Sequence, residues 1–209
     1  LGGLIEQVIE TGDFKGEALK TRLLYTHGDA VATRRILLVG LGKQAEFTTT
    51  LARRAAGVAA QTLVDLKLRR LASVVHGAAN HGLKAAPAAQ AVVEGTLLGL
   101  YRFITHKREE NTQRPTVDAE ELVLLAPSAD AIMEMEIGAQ VGQTLATCAN
   151  LVRDLVNEPG NYVTPKILAA RAQALTQDLG ISVAVYGEEA MRAMGMESFL
   201  SVSRGSAEE

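Results

Sequence analysis

An α/β layered fold, followed by a long helix and the opening of a second α/β domain, is predicted by three observations. Over the first 125 residues, apolar runs of strand length alternate with segments of helical period. A helical apolar period then runs from near Asp130 to just before Pro159-Gly160. Beyond Thr164-Pro165 the alternation of helix and strand begins again, with no sheet to join.

Leu4, Ile5, Val8 and Ile9 recur at helical spacing, and Gly12 and Gly16 break the helix they predict. Arg22 to His27 and Arg35 to Val39 flank the turn pair Gly28-Asp29, which predicts a strand, a loop and a second, fully apolar strand. Phe47, Leu51, Val58 and Leu63 mark one face of a helix. A strand is expected around Ala72 to His76, a helix from about Pro87 to Phe103, and a strand from Glu121 to Leu125. Residues 105 to 120 are polar, lack an apolar period and read as a surface connection.

The long helix carries Ile137, Val141, Leu145, Cys148, Val152 and Leu155 on one face, expected to be buried. Gly138, Ala139, Gly142, Ala146 and Ala149 would permit close packing beside that stripe. At 1.5 Å per residue the helix is roughly 40 Å long, enough to link two domains. Thr164-Pro165 is a cap with proline at the first helical position, and the helix it opens should stop at Gly180. A strand at Ile181 to Tyr186, a short helix at Glu188 to Met194 and a strand at Phe199 to Val202 complete the expectation.

The 209 residues, 47% of them hydrophobic, suit a soluble globular protein. A net charge of -3 and a pI near 5.9 argue against a DNA or membrane-surface partner, which would attract basic patches. Cys148 is the only cysteine, so no internal disulfide forms, and a cytoplasmic location is expected. No apolar run approaches the ~20 residues of a membrane span. Leu1-Gly2-Gly3 lacks an initiator Met and a signal pattern, from which residues lost upstream are expected.

Isolated motifs give little chemistry. Gly40-Leu41-Gly42-Lys43-Gln44-Ala45 fits the glycine pattern of a dinucleotide-binding turn, but the matching acidic residue, Asp65, falls before the next strand rather than at its end. It is no phosphate loop of the Lys-Ser/Thr type. His76 and His81 lack the spacing and the central Glu of a zinc helix, while His27 and His106 have no partner at ligand spacing. Cys148 reads as a small hydrophobe, Ser203-Arg204-Gly205-Ser206 as a turn after a strand, and the five methionines, among them Met133, Met135, Met194 and Met196, as helix and core packing.

The string from Asn150 through Asn157-Glu158-Pro159-Gly160-Asn161-Tyr162-Val163-Thr164-Pro165-Lys166 to Leu168 is similar to the join between the two domains of leucyl aminopeptidases, the cytosol aminopeptidase family. Met194 to Ser206 resembles the family's next recognisable stretch and lies at the expected distance. Gly12-Asp13-Phe14-Lys15-Gly16 and Arg35 to Lys43 resemble its N-terminal domain, so the likeness covers nearly the whole chain and gives Gly40-Leu41-Gly42-Lys43 a non-nucleotide explanation.

The resemblance implies a macro-like N-terminal α/β domain at 1–127 with a mostly parallel sheet flanked by helices, a linking helix at 128–160, and the opening of a catalytic domain at 161–209. For the full-length parent it implies two divalent metal ions, Mn or Zn, peptide substrates and a hexamer. The family's ligand motifs, a glycine-rich Lys/Asp motif and Asn-Thr-Asp-Ala-Glu-Gly-Arg, are absent from this chain, and Asp118-Ala119-Glu120 is only a decoy. No catalytic, cofactor-binding or metal residue is therefore assigned, and the 209 residues alone are expected to be inactive. A stand-alone binding or regulatory module, for nucleotide, ADP-ribose or DNA, is the alternative.

Overall fold

The computed structural model describes residues 3–27, 31–78, 82–106 and 119–206. Two compact units divide them, Leu1–Val152 and Arg153–Glu209.

In the first unit, α1 (Leu4–Glu10) ends before Gly12, whose φ of 76° is the left-handed turn that glycine adopts without strain. Strands β1 (Thr21–Tyr25) and β2 (Arg35–Val39) pair antiparallel, with Thr21 opposite Val39 and Tyr25 opposite Arg35. The turn pair predicted between them, Gly28-Asp29, lies outside the described residues. A parallel ladder joins β3 (Arg70–Val74) to β4 (Glu121–Leu125), Arg70 standing opposite Glu121. Among the described residues parallel pairing is thus confined to these two strands, and the connection at 107–118 is likewise outside them. His76 was expected at the end of the third strand; it stands two residues past β3, in a turn.

The unit also holds α2 (Thr49–Asp65), α3 (Ala85–Leu100) and, up to Val152, the 26-residue α4 (Ile132–Asn157). Their contact surfaces differ from expectation. On α2 the buried residues are Ala52, Ala55, Ala56, Ala60 and Val64, while Leu51, Val58 and Leu63 are only half-buried; Phe47 precedes the helix altogether. Helix α3 is buried on all sides from Ala91 to Thr96. On α4 the buried residues are Met135, Gly138, Gly142 and Ala146, while Ile137, Val141, Leu145, Cys148 and Val152 are exposed.

Small residues explain the reversal. A Cβ at Gly95 of α3 would lie 2.0 Å from the Arg53 carbonyl oxygen of α2, and one at Gly138 of α4 would lie 2.1 Å from the Ala86 carbonyl oxygen of α3. Backbone meets backbone at both crossings, so the alanine and glycine rows form the interfaces and the larger side chains are displaced to the flanks. Dispersion rises steeply as atoms reach optimal separation, which makes such close crossings stable despite the small area per residue.

The second unit contains α5 (Pro165–Thr176), α6 (Glu188–Ala193) and α7 (Glu197–Leu200). Thr164 caps α5 by accepting a hydrogen bond from the Ile167 N–H at 3.4 Å, and Pro165 opens it, as expected from the sequence. The chain reaches the left-handed Gly180 after one further turn. Neither predicted strand forms. Residues 181–187 carry no ladder, and Phe199–Val202 is divided between α7 and the turn after it. A strand needs a partner, and the described residues of this unit provide none.

Candidate functional site

Of the candidates named from the sequence, all but His81 and Asp118 lie among the described residues. Gly40 and Gly42 serve the fold. The Leu19 N–H donates to the Gly40 carbonyl at 2.8 Å, the Gly40 N–H to the Lys20 carbonyl at 2.8 Å, and the Gly42 N–H to the Gly16 carbonyl at 2.9 Å. A Cβ at Gly40 would fall 2.0 Å from the Glu17 carbonyl oxygen, so this glycine is required by the segment packed against it rather than by a pyrophosphate. The helix entrance is occupied as well: the Thr48 hydroxyl accepts from the Leu51 N–H at 3.2 Å, taking an amide that a phosphate would need. Asp65 is the last residue of α2. A cavity of about 210 Å³ lies beside Phe14, Leu41, Gln44 and Phe47, too small for a dinucleotide when drug-sized pockets run from ~300 Å³ upward.

His76 is partly buried, and its Nε2 has no hydrogen-bond partner among the described residues. Burial disfavours the imidazolium and pulls its pKa below the ordinary 6.5. His81 is outside the described residues. His27 is exposed after β1, and His106 is exposed beside the Phe103 ring, with centroids 5.9 Å apart.

Cys148, expected on the buried stripe, is exposed because Gly142 and Ala146 take the contact face. Of the four methionines singled out, only Met135 is core; Met133, Met194 and Met196 are exposed. The Ser203 hydroxyl donates to the Leu200 carbonyl at 3.1 Å and reaches Glu188 Oε1 at 3.5 Å, within a turn that follows a helix rather than a strand. In the decoy, Asp118 lies outside the described residues and Glu120 binds the Arg69 guanidinium at 2.5 Å.

Sequence reasoning missed the buried carboxylate. Glu94 is 6% exposed in the middle of α3. Its carboxylate takes Arg53 Nε of α2 on one oxygen and Gln90 Nε2, at 2.6 Å, on the other. Both carboxylate oxygens are thereby satisfied, which is what permits a carboxylate at a helix crossing. The i, i+4 spacing of Gln90 and Glu94 was visible in the sequence, whereas Arg53, 41 residues away, was not. No His, Cys, Asp or Glu cluster of three or more among the described residues could hold a metal ion. The residues described do not fit the metal centre that the resemblance implied.

A further cavity, about 350 Å³, lies between the β3–β4 ladder and helices α3 and α4, walled by Leu71, Val93, Leu97, Leu122 and Leu124. Thr96, Glu120, Glu121 and Gln143 supply its polar lining, and both carboxylates are paired, Glu120 with Arg69 and Glu121 with Arg70.

Comparison with known proteins supplies what the site does not. The model of the cytosol aminopeptidase family's N-terminal domain matches residues 1–110, and that of the same family's catalytic domain matches residues 150–209. The chain belongs to the cytosol aminopeptidase family. It is 35% identical over 208 residues to a probable cytosol aminopeptidase of Alkaliphilus metalliredigens and 38% identical over 208 residues to one of Geobacter sp. strain M21. Each match covers 100% of this chain and 41% of the relative. The chain therefore spans about two fifths of the length of the curated relatives it matches.

Among solved structures, the bottromycin maturation enzyme BotP in complex with Mn superposes with a TM-score of 0.77 at 27% identity, over 96% of this chain and 39% of that one. A mutant of tomato leucine aminopeptidase gives a TM-score of 0.81 over 99% of this chain and 39% of that one; its 24% identity speaks to the fold alone. The α/β reading is borne out by both. Among the described residues no helix is long and apolar enough to cross a membrane.

Proposed function

We propose that this chain is the N-terminal domain, linking helix and opening catalytic segment of a metal-dependent aminopeptidase that releases N-terminal residues from peptides. The observation that carries this reading is the order and spacing of the two family matches, N-terminal domain at 1–110 and catalytic domain from 150. The proposed division is 1–127, 128–160 and 161–209. A site with two Mn or Zn ions, a hexameric assembly and a cytoplasmic location belong to the same proposal. They are supported by the family membership and, for the metal, by the Mn complex of BotP.

We assign the metal ligands to the part of the family's catalytic domain that this chain does not contain. The role of the 209 residues is then architectural: α2, α3 and α4 make a glycine-packed platform, and α4 carries the chain from it into the catalytic half.

The test compares the full-length gene product with the 209-residue chain on a leucyl peptide substrate, each with added Mn²⁺ or Zn²⁺. Hydrolysis by the full-length protein and none by the short chain is expected. Turnover by the short chain that tracks added metal and survives repurification would overturn the assignment, as would an inert full-length protein with either ion.

A further inference from the structure

Helix α4 has three distinct faces. Met135, Gly138, Gly142 and Ala146 are buried, with Gly138 and Gly142 set against Ala86 and Gln90 of α3. Glu136, Gln140, Gln143 and Thr147 form an exposed polar face, as a water-facing side should. Between these runs a third stripe, Ile137, Val141, Leu145, Cys148 and Val152, with four of its members 43 to 57% exposed and Cys148 exposed too. At 100° per residue its members fall within roughly 80° of arc, and from Ile137 to Val152 no charged residue shares that arc. A stripe this continuous beside a separate polar face is built for contact, since isolated apolar residues on a surface need no explanation but aligned ones do.

We infer that this stripe is the seat of catalytic-domain residues that follow position 209 in the same full-length polypeptide. The inference rests on the functional reading above. Its first support is length: 208 aligned residues are 41% of the relatives, so a protein of that length, about 500 residues, holds more chain outside this structure than inside it. Its second is placement. The match to the catalytic domain begins at residue 150, on the last turns of α4, so the helix that carries the stripe runs directly into that domain's sequence. Being part of the same chain raises the effective concentration of such a cover, which favours it over a second copy of the protein.

Cys148 reports on the stripe directly. Full-length native protein is treated with a maleimide, and the modification of the peptide bearing Cys148 is followed by mass spectrometry, with the same protein unfolded in urea as reference. The expected result is labelling at least about tenfold slower than in the unfolded protein, since a covered thiol reacts only on local opening, and no loss of protection on dilution to monomers. Labelling as fast as in urea overturns the inference, and protection that vanishes when subunits separate assigns the stripe to a second copy instead. The intact mass of the gene product separates the two levels of failure. A mass near 22.2 kDa removes the functional reading and this inference together, whereas a mass roughly two and a half times larger with a freely reactive Cys148 removes this inference alone.

Discussion

Residues 1–152 and 153–206 obey the same local rules, yet only the first region builds a core. Among the described residues, fifteen of the sixteen buried hydrophobic ones lie before Val152, and the second region contributes Leu200 alone. Phe199, Val202, Leu179, Val185 and Tyr186 are all more than half exposed. Capping is equally good in both, with Thr48 and Thr164 making the same bond to the third residue after them. The difference shows that correct local chemistry sets where helices start, whereas burial depends on what is available to pack against.

The largest effect separating the regions should come from glycine. Gly95→Ala places a methyl group against the Arg53 carbonyl at the α2–α3 crossing. It should destabilise the protein by about 2 kcal/mol, an overpacking cost of roughly 3 offset by roughly 1 from helix propensity. Gly160→Ala, where nothing lies within 4 Å, should change stability by less than about 0.5 kcal/mol. Urea unfolding monitored by circular dichroism measures both, and equal losses would abolish the distinction.

The two caps sharpen it next. Thr48→Ala and Thr164→Ala each remove about 1 kcal/mol of helix stability. For Thr48 the loss should appear as a lower unfolding midpoint, because α2 belongs to the core. For Thr164 it should appear only as faster hydrogen exchange of the α5 amides.

A smaller effect involves His76. Its folded-state pKa lies below the unfolded 6.5, so between those values the unfolded chain binds more protons and stability rises with pH. Acidification from pH 7 should therefore weaken the protein as pH falls through 6.5, levelling off below the folded-state value. His76→Asn should flatten that part of the stability–pH profile, as read from thermal melts across pH.

The sequence contrast follows from the same physics. Strands Arg35–Val39 and Glu121–Leu125 were legible to the residue, because a short apolar run bounded by polar residues has one economical conformation. The buried faces of α2 and α4 were not. Large side chains suggested the contact surface, but the helices approach so closely at Gly95 and Gly138 that alanine and glycine occupy it. Ile181–Tyr186 has the composition of a strand and lacks a ladder, since pairing is a property of two segments. The Arg53–Glu94 pair was hidden by its 41-residue separation.

Hydrogen exchange followed by mass spectrometry, on the 209-residue chain and on the full-length gene product, tests most directly the proposal that a packed platform leads into a segment ordered by the rest of the catalytic domain. In the short chain, amides of α2 and α3 should be protected to the level of global unfolding while those of 181–187 exchange rapidly, and in the full-length protein 181–187 should become slow. Protection of 181–187 equal to that of α3 in the short chain, or fast exchange there in both proteins, would contradict it.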